Sequence, residues 1–104
     1  MNPMCFIPCK MSPGAFSGEI AFEITLEDGK KHLGLASRRY FWTENGERPG
    51  KNLQPGTPGY IRARILEEEG KDSVLLSIPD GEVVAVKKTS IRRSERESDV
   101  PIGS

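Results

Sequence analysis

Two Asp-Gly pairs, each between stretches of alternating apolar and polar residues, constrain the fold of this chain more than any other feature. Alternation with a period of two is typical of a half-buried β-strand, and Asp-Gly favours the positive φ angles of a tight hairpin turn. The sequence therefore predicts an all-β domain of antiparallel hairpins. A chain of 104 residues has the size of one domain, so the hairpins should share one core.

The first hairpin is predicted around the Asp-Gly pair at residues 28–29. A two-residue turn there would pair Ile24 with Leu33 and place the apolar side chains of both strands on one face. A three-residue loop would put Glu23 opposite Leu33 and lose that match. We therefore predict the two-residue turn, which leaves His32 on the outer face.

The second hairpin is predicted around Pro-Asp-Gly at residues 79–81. Proline suits the first position of a type I turn and glycine suits the left-handed third position, so this loop should have three residues and end in a G1 bulge. That loop opposes Leu76 to Val84 and Val74 to Val86. All the apolar residues of the hairpin then share one face.

Three further segments lie around and between these hairpins. Residues 31–42 are predicted as the second strand, although 36–42 suit a short helix equally well. Residues 43–59 contain several Pro-Gly and Asn-Gly pairs and predict a long loop, which is a common place for function. Residues 60–66 alternate again and predict the strand that precedes the second hairpin, with a helix as the alternative, for a total of five strands.

At both ends of the chain, the apolar residues follow neither the helical nor the strand period. Prolines interrupt residues 1–17, which are predicted to be a flexible leader, and Met11 is a candidate start. Residues 18–92 are predicted to be the folded domain, and the charged residues 93–104 a disordered tail. Five strands with one apolar face favour a small SH3-like barrel. An OB-like barrel is the alternative, but that fold normally has a helix where this chain has its Pro/Gly-rich loop.

Residues 60–70, 74–83 and 86–92 together resemble the three-strand meander of Tudor-type and other SH3-like barrels. This resemblance covers about a third of the chain and implies a small barrel fold. Tudor domains hold methylated lysine or arginine in an aromatic cage through cation–π attraction. Tyr60 is the one residue here that matches a cage position.

The chain shows no pattern typical of an enzyme, a metal site or a cofactor site. It has one histidine, His32, with no acid that the sequence places beside it. Cys5 and Cys9 are predicted to be free thiols, and with His32 they are too few for a zinc site. No glycine-rich phosphate loop opens a helix. We therefore predict a non-enzymatic protein with no cofactor.

The amino-acid composition limits the cellular location and the kind of ligand that we expect. The apolar runs are far shorter than the roughly 20 residues of a membrane span, so we expect a cytoplasmic protein that does not enter membranes. Fifteen basic residues balance fifteen acidic ones. Any binding of nucleic acid must therefore come from a local basic patch.

The segment Arg38-Arg39-Tyr40-Phe41-Trp42 is the best candidate for such a patch. Guanidinium groups neutralise phosphates and aromatic rings stack on bases, so we predict an interaction module for RNA or single-stranded DNA. The predicted ligand-binding residues are Arg38, Tyr40, Trp42, Arg62, Arg64 and Lys87.

Two alternatives stay open at this stage. Phe41 and Trp42 are equally suited to fill one end of the barrel while the arginines lie along its rim. The same aromatic residues also suit a protein- or peptide-binding adaptor, with residues 43–59 as one wall of its groove.

Overall fold

The computed structural model describes residues 3–94 and 100–101, which form one curled antiparallel sheet in the shape of a half-barrel. The eight strands are β1 Met4–Pro13, β2 Glu19–Thr25, β3 Lys31–Ser37, β4 Phe41–Thr43, β5 Thr57–Glu69, β6 Ser73–Ser77, β7 Val83–Lys87 and β8 Arg92–Ser94. Single 3₁₀ turns lie at Arg38–Tyr40 and Lys88–Ser90. None of the described residues forms a helix with the length and apolar character needed to cross a membrane.

The strands follow the order β3-β2-β1-β5-β6-β7, while β4 pairs with β5 and β8 pairs with β1. The prediction of an all-β fold built from antiparallel hairpins is confirmed. The predicted count of five strands is wrong, because the sheet has eight. The additional strands are β1, which falls in the predicted leader, and the short strands β4 and β8.

The first correction concerns the predicted flexible leader, residues 1–17. Residues 4–13 form β1, which lies at the centre of the sheet between β2 and β5. Its odd-numbered side chains from Cys5 to Met11 point into the core and are buried: Cys5, Ile7, Cys9 and Met11. Both cysteines are free, as predicted. Pro8 is accommodated because it lies between the stretches of β1 that pair with β8 and with β2, where one edge has no ladder to interrupt.

The second correction concerns the first hairpin, whose loop has three residues instead of two. Ile24 lies opposite His32. The amide of Leu26 donates to the carbonyl of Lys30 at 2.8 Å, and Gly29 has a φ of 87°. Every side chain of β3 is therefore on the opposite face from the one predicted. The apolar match was misleading because the leucines of β3 are exposed.

The second hairpin has the predicted loop and register. Leu76 lies opposite Val84, and Val74 lies opposite Val86. The amide of Gly81 donates to the carbonyl of Ile78 at 3.0 Å, and Gly81 has a φ of 92°. Here the turn residues and the apolar pattern require the same loop length, and the prediction is confirmed.

The segment between the hairpins follows the helical alternative in part. β3 ends at Ser37, and a 3₁₀ turn redirects the chain at Arg38–Tyr40 before β4 begins. The predicted strand at residues 60–66 is confirmed, although β5 is longer and has a register shift between Ile65 and Glu67. Within the predicted tail, Arg93 belongs to β8 and Pro101 is buried. The predicted disorder at 95–99 and 102–104 lies outside the described residues.

The inner face of the sheet surrounds a single apolar core. Buried residues reach it from β1 to β7, and the aromatic members are Phe22 and Phe41, whose ring centroids lie 5.7 Å apart. Phe6 and Trp42 are equally buried, but they lie on the other side of the sheet. Side chains that cover these two rings form the candidate site.

Candidate functional site

The outer face of β4, β5, β1 and β8 carries aromatic rings covered by arginines. Trp42 on β4 lies opposite Tyr60 on β5. Phe6 on β1 lies opposite Arg62 on one side and Arg92 on the other. Alternation along each strand brings these side chains to one face. We call this surface the arginine–aromatic face, and its members are Phe6, Trp42, Tyr60, Arg48, Arg62 and Arg92.

Trp42 is 4% exposed, and other side chains cover its ring. The guanidinium carbon of Arg48 lies 4.4 Å from the ring centroid, and that of Arg62 lies 5.3 Å from it. The ring of Phe6 meets the ring of Trp42 edge-on, at a centroid distance of 5.2 Å. A nucleic-acid base would have to displace a guanidinium group before it reached the indole.

The guanidinium groups therefore form the outer layer of this face. That of Arg62 also lies 5.4 Å from the ring of Phe6, and that of Arg92 lies 5.1 Å from the ring of Tyr60. Each such contact contributes about 0.5–2 kcal/mol, depending on how far it is removed from water. The rings lie beneath these cations, and Arg48 and Arg92 are exposed to solvent while Arg62 is half-buried.

Hydrogen bonds to the backbone fix two of these arginines further. Arg48 donates from Nη1 to the carbonyl oxygen of Arg39 at 2.6 Å and to that of Phe41 at 3.3 Å. Arg92 donates from Nη1 to the carbonyl oxygen of Pro101 at 3.0 Å. These bonds tie the long loop and the end of the described chain to the face.

Arg38, a predicted ligand-binding residue, is not among the arginines that cover these rings. Its side chain joins two loops through hydrogen bonds to backbone carbonyls. Its Nε donates to the carbonyl oxygen of Ser17 at 3.1 Å. Its Nη1 donates to the carbonyl oxygens of Pro49 and Gly50, both at 3.0 Å. Arg38 lies in the 3₁₀ turn that follows β3, and the guanidinium groups over Trp42 are those of Arg48 and Arg62. Strand alternation had predicted Arg38 and Trp42 on one face.

Three of the predicted ligand-binding residues, Tyr40, Arg62 and Arg64, lie close together. They line a cavity of about 230 Å³ with Met4 and Pro79 among its other walls. The hydroxyl of Tyr40 accepts a hydrogen bond from Nη2 of Arg39 at 2.7 Å. That bond raises the pKa of Arg39, which therefore stays charged. This cavity adjoins the arginine–aromatic face through Arg62.

Lys87, the last predicted site residue, is not brought to this face. It lies at the end of β7 opposite Ser73, whereas Arg64 lies opposite Ser77 at the other end of β6. Lys87 is therefore two strands away from β5 and displaced along the sheet. The predicted basic patch consists of arginines without this lysine.

Three arginines of this region have no ion-pair partner among the described residues. Within the described part of the chain, the ion pairs of lysine and arginine side chains join Glu68 to Lys88 and to Arg93. Within that same part, no acidic side chain lies within 4 Å of Arg48, Arg64 or Arg92 to form an ion pair. The described residues therefore place these three positive charges on one region of a chain with no net charge.

Sequence reasoning missed Phe6, Arg48 and Arg92. Phe6 was assigned to a flexible leader, Arg48 to a loop and Arg92 to the end of the last strand. An alternating pattern in β1 was the available signal for Phe6, since Cys5 and Ile7 are apolar neighbours that face the other way. The other two arginines lie far apart in sequence and meet only in the folded sheet.

His32 also departs from its prediction as a surface residue. It shares the inner face with Ile24, and its Nε2 donates to Oδ2 of Asp80 at 2.8 Å. The pair lies beside a groove of about 560 Å³ whose other lining residues are Leu33, Gly34, Leu35 and Glu82. These lining residues include no hydroxyl or thiol group. The pair holds the β6–β7 turn against β3.

The two thiols are buried in the core, and their chemistry follows from that burial. Loss of solvation raises the pKa of Cys5 to about 12 and that of Cys9 to about 12, while Arg93 opposes the shift at Cys5. The reactive thiolate is therefore scarce near neutral pH. Among the described residues, no group of three or more His, Cys, Asp or Glu side chains is placed to hold a metal ion.

Comparison of the chain with protein-family models, curated proteins and solved structures finds no match. The resemblance to Tudor-type barrels therefore stays a prediction. The function is argued below from the arginine–aromatic face and the cavity beside it.

Proposed function

We propose that this protein is a non-enzymatic module that binds RNA or single-stranded DNA through the arginine–aromatic face. The observation that carries the proposal is the layer of guanidinium groups from Arg48, Arg62 and Arg92 over packed aromatic rings. Arg39 and Arg64 extend the positive surface at its margin. A strand of phosphates spaced along a flexible backbone is the ligand that such a surface suits.

Arginine is well suited to this task for a physical reason. Its planar guanidinium is always charged, is weakly hydrated and presents N–H donors that match two phosphate oxygens at once. At this face the rings and backbone carbonyls already order the arginine side chains of Arg48 and Arg92. Less side-chain entropy is therefore lost when a phosphate binds.

This mechanism differs from the one that the sequence suggested. Trp42 anchors the arginines from beneath and does not act as a stacking platform. Tyr40 and Tyr60 are half-buried, and each also has a guanidinium carbon over its ring, that of Arg39 at 4.9 Å and that of Arg92 at 5.1 Å. We therefore assign the ligand contacts to the arginines, which bind the phosphates, and assign no stacking contact to the covered rings.

A peptide-binding adaptor that uses the same aromatics is less well supported at this face. Such a groove needs open apolar walls, and here guanidinium groups cover Trp42. The methylated-lysine cage implied by the Tudor resemblance meets a similar obstacle. Arg92 already places a cation 5.1 Å from the ring of Tyr60, where a methylated ammonium would sit.

The proposal extends to the type of barrel fold and to the cellular compartment of the protein. The meander of β5, β6 and β7, with the Asp80-Gly81 turn, supports a barrel of the SH3-like type. Two free, buried cysteines fit a reducing cytoplasm.

The salt dependence of binding tests the proposal. We would titrate the protein into fluorescently labelled single strands of mixed sequence, as RNA and as DNA, and follow anisotropy at several salt concentrations. The logarithm of the association constant should fall linearly with the logarithm of salt concentration, by about 0.7 per phosphate contacted. Arg64→Gln should weaken binding and reduce the slope by about 0.7.

Lys71→Gln provides the matched control. It removes the same charge from an exposed position in the β5–β6 turn, away from the face. This variant should retain the affinity and the slope of the native protein. Equal losses in both variants would show that net charge, and not this face, governs binding, and absence of binding at low salt would refute the proposed function.

A further inference from the structure

β3 forms an edge of the sheet, and its outer backbone groups are open. The amide of Leu26 donates to Lys30 and the amide of Arg38 donates to Gly18, which fixes the alternation of hydrogen-bonded pairs between β2 and β3. Even-numbered residues of β3 then direct their backbone groups toward β2. Leu33 and Leu35 direct theirs away from the sheet, where no second strand formed by the described residues pairs with β3.

This edge lacks two of the features that commonly prevent another strand from pairing with it, a bulge and a proline. The ladder of β2 and β3 runs through seven residue pairs without a register shift, and β3 contains no proline. Leu33 is 69% exposed and Leu35 is 48% exposed on the outer face beside the open backbone groups. Regular edges with exposed apolar side chains are templates for strand addition.

The edge opens into the groove of about 560 Å³ beside the His32–Asp80 pair. One wall is β3 and the other is the β6–β7 turn, with Asp80 and Glu82. Gly34 lets these walls approach, because a β-carbon at this position would collide with the carboxylate of Asp80. The groove therefore exists because residue 34 has no side chain.

The groove is more acidic than basic. Asp80 and Glu82 line one wall, and Glu23 lies directly opposite Leu33 on β2. The nearest lysine on β3, Lys31, directs its ammonium to the hydroxyl of Thr25 at 2.6 Å. His32 already donates to Asp80. A basic ligand complements these charges.

We propose that the open edge of β3 binds an extended segment of a partner protein in which apolar and basic residues alternate. The segment pairs with the backbone of Leu33 and Leu35 as an added strand. Its side chains alternate between faces, so one set packs on the two leucines while the other set points toward Asp80 and Glu82. This peptide site is separate from the proposed nucleic-acid face.

A second copy of this chain fits the groove less well than a single segment. Its own β3 carries β2 along the far edge. A second copy also brings a second set of the same acidic residues, Asp80 and Glu82, to a groove that they already line. A single extended segment lies between the two walls without this conflict.

The peptide Ac-Lys-Val-Lys-Val-Lys-Val-Lys-NH2 is a suitable probe, followed by ¹⁵N–¹H correlation spectra of the full chain. Saturable shifts are expected at residues 32–35 and 80–82. Amide exchange should slow at least tenfold at Leu33 and Leu35, and much less at Gly34, whose amide already faces β2. The same peptide with glutamate in place of lysine should bind at least tenfold more weakly.

Two variants and a control locate the site. Leu33→Lys places a cation opposite Glu23, so the variant should fold. It should bind the lysine peptide at least tenfold more weakly than the native protein does. Glu82→Gln should also lower the affinity for that peptide. Leu66→Lys changes another exposed leucine and should leave the affinity unchanged. The proposal is overturned if no saturable shift appears up to millimolar peptide, or if the shifts map elsewhere. Protection of Leu33 that rises with protein concentration alone would assign the edge to a second copy.

Discussion

At the scale of single residues, the contact between Asp80 and β3 explains an unusual run of side chains. His32 binds the carboxylate from the inner face, and the other oxygen of Asp80 accepts the amide of Glu82 at 2.9 Å. Gly34 leaves room for that carboxylate between the two exposed leucines. The sequence Leu-Gly-Leu is therefore explained by a residue that lies far away along the chain.

Gly34→Ala tests this contact. The new methyl group would meet Asp80 and the ring of Phe22, and overpacking of this kind costs about 1–3 kcal/mol. The free energy of unfolding, measured with urea, should fall by that amount. Gly50→Ala is the control, because a β-carbon there meets nothing within 4 Å. Equal effects in the two variants would contradict the position of Asp80.

The buried thiols give a second prediction at this scale. Because burial raises the pKa of Cys5 and Cys9 from 9.0 to about 12, folding favours the protonated form. The resulting stability is complete below about pH 9 and is lost as the pH rises toward about 12. The free energy of unfolding should therefore fall more steeply above pH 9 in the native protein than in the Cys5→Ala/Cys9→Ala variant. Parallel curves would contradict the shifts.

At the scale of elements, β1 is the strand on which the sheet depends. It pairs with β2, β5 and β8, and its inward side chains contribute four buried residues to the core. A chain that begins at Met11 would lack most of this strand. It would expose one edge of β5 and remove Ile7, which lies opposite Ile61.

We therefore predict that the chain beginning at Met11 does not fold. Its ¹⁵N–¹H spectrum should show the narrow amide dispersion of an unfolded chain, and its near-ultraviolet circular dichroism should be lost. The full chain is the control. Native dispersion in the shortened chain would show that residues 1–10 are dispensable, as the sequence suggested.

What could be predicted from the sequence depended on whether local signals agreed. At the second hairpin, the Pro79-Asp80-Gly81 turn and the apolar pattern required the same loop, and the register was right. At the first hairpin, the apolar pattern favoured the wrong loop because Leu33 is exposed and Gly34 accommodates Asp80. Residues 1–17 appeared irregular because of their prolines, and Pro8 is accommodated only where β1 lacks a partner along one edge.

At the scale of the whole molecule, net charge conceals an uneven distribution. The acidic residues Glu67, Glu68 and Glu69 lie at the far end of β5, where Glu68 pairs with Lys88 and Arg93. The arginines over Trp42 and Tyr60 lie at the other end of that strand. The sequence correctly placed Arg62 and Arg64 on the outer face of β5. The rest of the face could not be assembled without β1, which carries Phe6.

The most direct test of the central claim is a titration with an unlabelled single-stranded oligonucleotide, followed through the arginine Nε–Hε signals in ¹⁵N–¹H spectra. Phosphate contact should shift the signals of Arg48, Arg62 and Arg92 at low salt and leave that of Arg38 unchanged, because the Nε of Arg38 already donates to the carbonyl oxygen of Ser17 and its guanidinium covers none of the rings of the face. Shifts at Arg38 alone, or no saturable shift at any of the three arginines of the face, would contradict the account.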